Sequence, residues 1–410
     1  MPTKSEPSLF MRNRLPVFVI LATVVIDAMG IGLILPVMPD LIQEVTGGDL
    51  GAAAVWGGIL ATVFAFMQFL CGPLLGNLSD RFGRRPVLLV SLAVMSADYV
   101  IMALAENIWV LVLGRIVAGI TAATYATAMA YMADISTPED KAKAFGLVGA
   151  GIGIGFVLGP AMGGVLAQFG TRAPFWAAAV LAGGNALLGW VVLKETVTEA
   201  TRRVFELRRA NPLGALAALN TLPSMPKLLV VFFLYQVAAA VYPSIWPYFV
   251  TERFGFEEGM IGLSLTAYGL TYAIVQAALI APTISWLGNR KTVVFGLVLE
   301  VFALIYLGLI STELLLFIGI PLAALASVGL PALQGIMSRR VASDAQGELQ
   351  GVSASLTSLA HILAPLVMTQ TFAYFSDAHA PLYLPGAPFL LSAVLMVLSL
   401  LVFLRSRRAT

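Results

Sequence analysis

Residues 76–85 read Gly76-Asn77-Leu78-Ser79-Asp80-Arg81-Phe82-Gly83-Arg84-Arg85. Four charges and two glycines stand here between apolar runs near 53–77 and 86–105, each long enough to cross a hydrocarbon layer of roughly 30 Å. A charged turn between two such runs is the pattern of a chain that passes back and forth through a bilayer. Working outward, comparable runs fall near 16–39, 108–132, 143–168, 174–193, 227–250, 260–285, 292–310, 313–337, 347–375 and 384–404. The sequence therefore predicts an all-α polytopic membrane protein with twelve transmembrane helices. The first run exceeds a signal-peptide core and lacks a small-residue cleavage site after it, so it is expected to stay as a helix.

Composition excludes the alternatives. Of 410 residues 59% are hydrophobic and 11% charged, against roughly 25% charged in soluble domains, and the mean hydropathy is +0.91. A net charge of +2 leaves no excess for a phosphate backbone, which argues against nucleic acid as a partner. The single Cys71 has no partner for an intrachain disulfide. No phosphate-binding G-x-x-x-x-G-K-[ST] loop and no His/Cys cluster appears, so neither ATP nor an intrinsic metal or other cofactor is expected, nor is an enzyme.

With twelve spans both termini share a side. That side collects 21 of the 24 basic residues: Lys4, Arg12 and Arg14, the three arginines of 81–85, Lys141, Lys143, Lys194, Arg202, Arg203, Arg208, Arg209, Lys227, Arg290, Lys291, Arg339, Arg340, Arg405, Arg407 and Arg408. Only Arg172 and Arg253 fall opposite. By the positive-inside rule the rich side is cytoplasmic. The longest hydrophilic stretch, 195–226, reads as a cytoplasmic linker between a six-helix half at 1–194 and another at 227–410. A shift of 205 residues carries Gly146 and Pro160 onto Gly351 and Pro365, and Gly83 and Arg85 onto Gly288 and Arg290. Two parallel repeats of this kind describe a secondary transporter, with substrate expected near the midplane.

At this point the motifs add a resemblance. Residues 76–85 resemble the loop signature G-x-L-x-D-R-x-G-R-R of the major facilitator superfamily, which implies the major facilitator fold and a charge latch at Gly76, Asp80, Arg81, Gly83, Arg84 and Arg85. In the fifth span Gly146, Gly155, Gly159, Pro160, Gly163 and Gly164 form G-x8-G-x3-G-P-x2-G-G. Small residues so spaced flatten a helix face and Pro160 bends it. The pattern is similar to the motif that marks antiporters in that superfamily.

Ionisable groups inside the spans are costly unless they are paired or functional. They are Asp27, Asp98, Arg115 and Glu300; Asp27 stands about 11 residues into its span, roughly 17 Å deep. Burial disfavours a charged carboxylate, so such groups suit proton coupling; an ion pair of one acid with Arg115 is the other reading. Asp27-Ala28-Met29-Gly30-Ile31-Gly32-Leu33-Ile34-Leu35-Pro36, Ala97-Asp98-Tyr99 and Leu330-Pro331-Ala332-Leu333-Gln334-Gly335 resemble the tetracycline/proton antiporters. That resemblance implies export, driven by the proton gradient, of tetracycline chelated to a divalent cation such as Mg2+. It also implies a bacterial inner-membrane location, a functional monomer in the lipid bilayer, and Asp27, Asp98, Arg115 and Glu300 in proton coupling. There are departures. Tyr272 stands where those proteins carry a histidine and Glu300 where an aspartate is usual; a phenol of pKa about 10 does not replace an imidazole near pH 7. A multidrug exporter and a proton-coupled symporter of a physiological solute are the alternatives. Substrate-contact candidates are Gln68, Tyr125, Gln236, Tyr272, Gln276, Gln334 and His361, with Tyr235, Trp246 and Phe249 as aromatic walls. Trp246 and Tyr248, close to a span end, also read as interfacial anchors.

Overall fold

The computed structural model describes residues 14–406 except 123, 138–139, 200, 204, 206–224 and 343–344. Lys4, Arg12, Arg208, Arg209, Arg407 and Arg408 of the charge tally, and most of the expected linker, lie outside the described residues. Those described form helices and no strand. In order these are α1 Arg14–Ile34, α2 Met38–Thr46, α3 Leu50–Phe82, α4 Arg84–Ala103, α5 Ile108–Thr121, α6 Thr124–Asp134, α7 Lys141–Ala167 and α8 Ala173–Val192. They continue as α9 Pro226–Ala239, α10 Val241–Phe254, α11 Glu258–Ile274, α12 Ile280–Leu309, α13 Glu313–Ala326, α14 Gly329–Arg339, α15 Gln346–Ser376 and α16 Ala387–Leu404.

Eleven stretches among the described residues are long and apolar enough to cross a membrane, and one of them, Glu258–Leu309, runs for 52 residues. A straight helix of that length would span about 78 Å, more than twice a bilayer core. Gly288, at φ 73° and ψ 158°, breaks it into two crossings, so the twelve predicted spans are present. A π-helical turn at Val275–Leu279 lies inside the predicted 260–285 span.

Two local differences from the sequence reading have simple causes. The predicted 16–39 span stops at Ile34, because Pro36 lacks an N–H and disfavours helix in the residue before it. The chain turns there and starts the short α2, with Pro39, Leu41 and Ile42 buried. The charged stretch 76–85 is helical except for one residue: α3 runs to Phe82 and α4 starts at Arg84. Gly83, at φ 114°, makes the link alone, a backbone conformation that suits only glycine. Elsewhere side chains set the ends. Asn107 accepts from the amides of Trp109 and Val110 at 3.1 and 3.2 Å to cap α5, and Gly255 at φ 67° closes α10.

The described residues of Met1–Val37 and Met67–Asn211 form one compact unit; those of Met38–Phe66 and Pro212–Thr410 form the other. In the first, α1 packs most extensively on α7, and α4 on α8. Val17, Ile20, Val24, Leu88, Leu92 and Tyr131 are among the residues of an apolar cluster in it. In the second, α16 packs against α9 and α12.

Candidate functional site

In the first unit the glycines of α7 decide where α1 lies. A Cβ added at Gly155 would stand 2.5 Å from the Val25 carbonyl oxygen, and one at Gly159 would stand 2.6 Å from that of Met29 and 2.8 Å from the Cα of Gly32. At Gly163 the Leu33 carbonyl is closer still, and Pro160 fits against Gly32. Glycine at every fourth position thus meets backbone at every fourth position of α1, so the two helices touch main chain to main chain. Asp27 lies on the stretch of α1 so held. Gly164 is buried, whereas Gly146 is exposed and faces open space, so it is not part of this contact.

Asp27 is partly buried, and among the described residues it makes no hydrogen bond or ion pair. One turn on, Gly30 is covered by the Tyr99 hydroxyl of α4, and the Tyr99 ring lies among the charges of Asp27, Asp98 and Arg115. Asp98, 1% exposed, takes its partner from α5: Arg115 donates through Nη2 to Asp98 Oδ2 and also contacts the sulfur of Met102 at 2.7 Å. Gly114 permits this approach, because a Cβ there would meet Asp98 Oδ1, an atom with no hydrogen-bond partner among the described residues. Asp98 and Arg115 therefore form an ion pair, and Asp27 stays outside it.

At the end of the unit rich in arginine, Arg84 bridges two helices, donating to Asp80 of α3 and, at 3.3 Å, to Asp134 of α6. Arg203 stands 3.7 Å from Asp80 and is two-thirds exposed, so solvent screens it. Arg81 lies over the Phe82 ring, and Arg85 donates to the Trp190 carbonyl at 2.6 Å. A Cβ at Gly76 would meet nothing. Sequence reasoning missed Asp134 and Glu195. The Glu195 carboxylate accepts from the amides of Arg84 at 2.9 Å and Arg85 at 3.2 Å, which places a negative charge on the positive end of α4. A Cβ at Gly83 would collide with that carboxylate, a second reason for glycine there.

In the second unit Glu300 of α12 is 2% exposed and accepts a hydrogen bond of 2.9 Å from the Tyr242 hydroxyl of α10. Tyr242 stacks on Tyr268 with centroids 5.8 Å apart, and Tyr268 stacks on Tyr272 at 5.9 Å. A ladder of phenols thus runs from the half-exposed Tyr272 to the buried acid, and Tyr235 adjoins it. Tyr242 and Tyr268 were not foreseen; the spacing of Tyr268 and Tyr272 on one helix face was the available signal. Gln276 bonds to Tyr272 and Gln236 donates to Thr357 at 3.0 Å. Gln334 and His361 are exposed on α14 and α15, and Gln68 and Tyr125 are exposed in the first unit. Trp246 donates to Ser264 at 2.9 Å and is 4% exposed, as is Tyr248, which covers Gly57. Both belong to the interior of the unit rather than to an interfacial belt. Phe249 packs edge-on against Phe389, with centroids 4.9 Å apart.

The family model described as Major Facilitator Superfamily matches residues 20–239 and 228–410. The chain belongs to the Major Facilitator Superfamily. Within it, the chain is 42% identical to the class C tetracycline resistance protein of Escherichia coli, over 88% of this chain and 91% of that one. It is 39% identical to the class G tetracycline resistance protein of Vibrio anguillarum, over 89% and 92%. Among solved structures, a human organic anion transporter aligns over 95% of this chain and 99% of its own at a TM-score of 0.70 and 24% identity. A nucleoside transporter aligns over 96% and 100% at 0.77 and 13%. These structures agree with this one in fold: a multi-pass helical membrane protein of the superfamily's two-halved type.

Proposed function

We propose that this superfamily member is a proton-coupled antiporter that exports tetracycline, as its chelate with a divalent cation such as Mg2+, or a related small hydrophobic drug. It acts by alternating access, without chemical conversion of the substrate. The observation that carries the reading is the division of labour among the buried acids. Asp98 is held by Arg115 and Glu300 by Tyr242, whereas Asp27 has no such partner among the described residues. An intramembrane carboxylate without a partner is free to exchange a proton or meet a cationic substrate. The glycine contact with α7 fixes the helix that carries it. Similarity over most of the chain to tetracycline resistance proteins supports the drug class.

On this reading protonation of Asp27 weakens substrate binding and favours the opposite-facing state, while Asp80, Arg84 and Asp134 latch one conformation. The protein works as a monomer in a bacterial inner membrane, with both termini cytoplasmic. A broader drug spectrum is the second reading. It is favoured by the ladder Tyr242–Tyr268–Tyr272, an aromatic surface in place of the expected histidine, and by 28% identity to multidrug resistance protein 2 of Bacillus subtilis. The test is pH-gradient-driven uptake of tetracycline into inverted vesicles. Asp27→Asn abolishes uptake while the protein still inserts at wild-type level; uptake at the wild-type rate refutes the reading.

A further inference from the structure

The 205-residue repeat sets Gly288 opposite Gly83, and both adopt positive φ at the start of a membrane-crossing helical segment. In the first unit the helix start after Gly83 is an anion site, filled by the chain's own Glu195 carboxylate. In the second unit the helix restarts after Gly288 beside a groove of about 1320 Å³ between α12 and the end of α16. Among the described residues its lining contains Arg290, Lys291 and Arg405 and no carboxylate. Arg290 donates to the main-chain carbonyl of Ser406 at 3.1 Å and lies over the Phe403 ring. These contacts hold its guanidinium against the end of α16. Neither Lys291 nor Arg405 is engaged in an ion pair among the described residues.

Away from the cations the groove is apolar, with Phe295 and Phe302 exposed. From Lys291 to Phe302 is eleven residues of helix, roughly 16 Å, or about half of a 30 Å hydrocarbon core. Trp286, 92% exposed just before the groove, suits the headgroup level. Two exposed cations, Lys291 and Arg405, at one end and an apolar trough one leaflet deep match a single amphiphile with a negative head. The geometry points to a binding site for an anionic phospholipid, its phosphate beside Lys291 and Arg405 and an acyl chain along Phe295 and Phe302. An acidic peptide would satisfy the cations but not the apolar trough, and free phosphate would leave that trough bare.

The test uses the full chain in detergent, titrated with phosphatidylglycerol or phosphatidylcholine of equal chain length, with bound lipid counted by native mass spectrometry. Phosphatidylglycerol binds more tightly, and Lys291→Gln and Arg405→Gln each weaken it about five-fold while phosphatidylcholine binding is unchanged. Both side chains are surface groups, and an unaltered thermal midpoint certifies each variant; if Arg405→Gln fails to fold, Lys291→Gln alone decides. Equal binding of the two lipids, or a preference that survives both substitutions, overturns the proposal. So does Lys291-dependent binding of inorganic phosphate or of a polyglutamate peptide as tight as that of phosphatidylglycerol.

Discussion

Two glycines of one motif, thirteen residues apart, are predicted to respond oppositely to the same methyl group. At Gly159 an added Cβ stands 2.6 Å from the Met29 carbonyl oxygen and 2.8 Å from the Gly32 Cα, where an ordinary contact is 3.4 Å or more. Both obstacles are backbone and cannot rotate aside, so α1 and α7 must separate along a packed face. Overpacking of this kind costs about 1–3 kcal/mol. At Gly146 the same methyl meets nothing within 4 Å and the residue is exposed, so the helix keeps the intrinsic preference for alanine, about 0.5–1 kcal/mol in its favour. Thermal or denaturant unfolding of each purified variant in detergent measures both. Gly159→Ala is destabilised and, because α1 carries Asp27, also loses coupled transport; Gly146→Ala is as stable as the parent or more so. A Gly159→Ala protein of parental stability, or a destabilised Gly146→Ala, would refute the argument that backbone contact is what the motif provides.

Two further predictions concern charge. Arg115→Ala strands the buried Asp98 carboxylate and costs about 3–5 kcal/mol, whereas combining Asp98→Asn with Arg115→Ala costs less than the sum of the single changes; strict additivity in the unfolding cycle would show that the pair is not coupled. Asp40 of α2, outside the spans, is pushed up to about 7 by partial burial and then by its hydrogen bond to, and repulsion from, Glu258. Its protonated form is the one that the fold favours, so its contribution to stability is present at low pH and is lost as the pH rises through about 7. Asp40→Asn should flatten that part of the stability profile in detergent, and an unchanged pH slope would count against it.

How much of this was legible in sequence depends on what the bilayer enforces. A hydrocarbon core demands long apolar runs, so twelve spans were readable, with errors only where proline or glycine acts locally: the early end at Ile34 and the one-residue link at Gly83. The buried charges were equally conspicuous, but their pairing was not. Whether Arg115 faces Asp27 or Asp98 depends on how α4 and α5 are rotated, which periodicity cannot fix in helices apolar on every side. Gly114 was the missed hint, since a glycine beside an intramembrane arginine leaves room for the carboxylate. Glu195 hid among ordinary polar residues after a span, and its role emerges only when the α4 terminus is seen to lie against it. Tyr242 and Tyr268 were passed over because a phenol betrays its hydroxyl's partner only in three dimensions.

The two helix starts that follow Gly83 and Gly288 show how a repeated scaffold diverges. Each begins with a glycine at positive φ and carries arginine just after it. In the first unit a carboxylate from the chain caps the start, so Arg84 is left to join Asp80 and Asp134. In the second unit Arg290 donates to the Ser406 carbonyl, and Lys291 and Arg405 face outward. Both starts share the glycine geometry, and among the described residues a carboxylate seated on the helix-start amides is seen at the first. A charge network closed within the chain can hold and release a conformation, whereas an open one responds to what the surrounding membrane supplies. Supplying a carboxylate to the second start by substitution would therefore be expected to displace anionic lipid from it, as Glu195 already occupies the first.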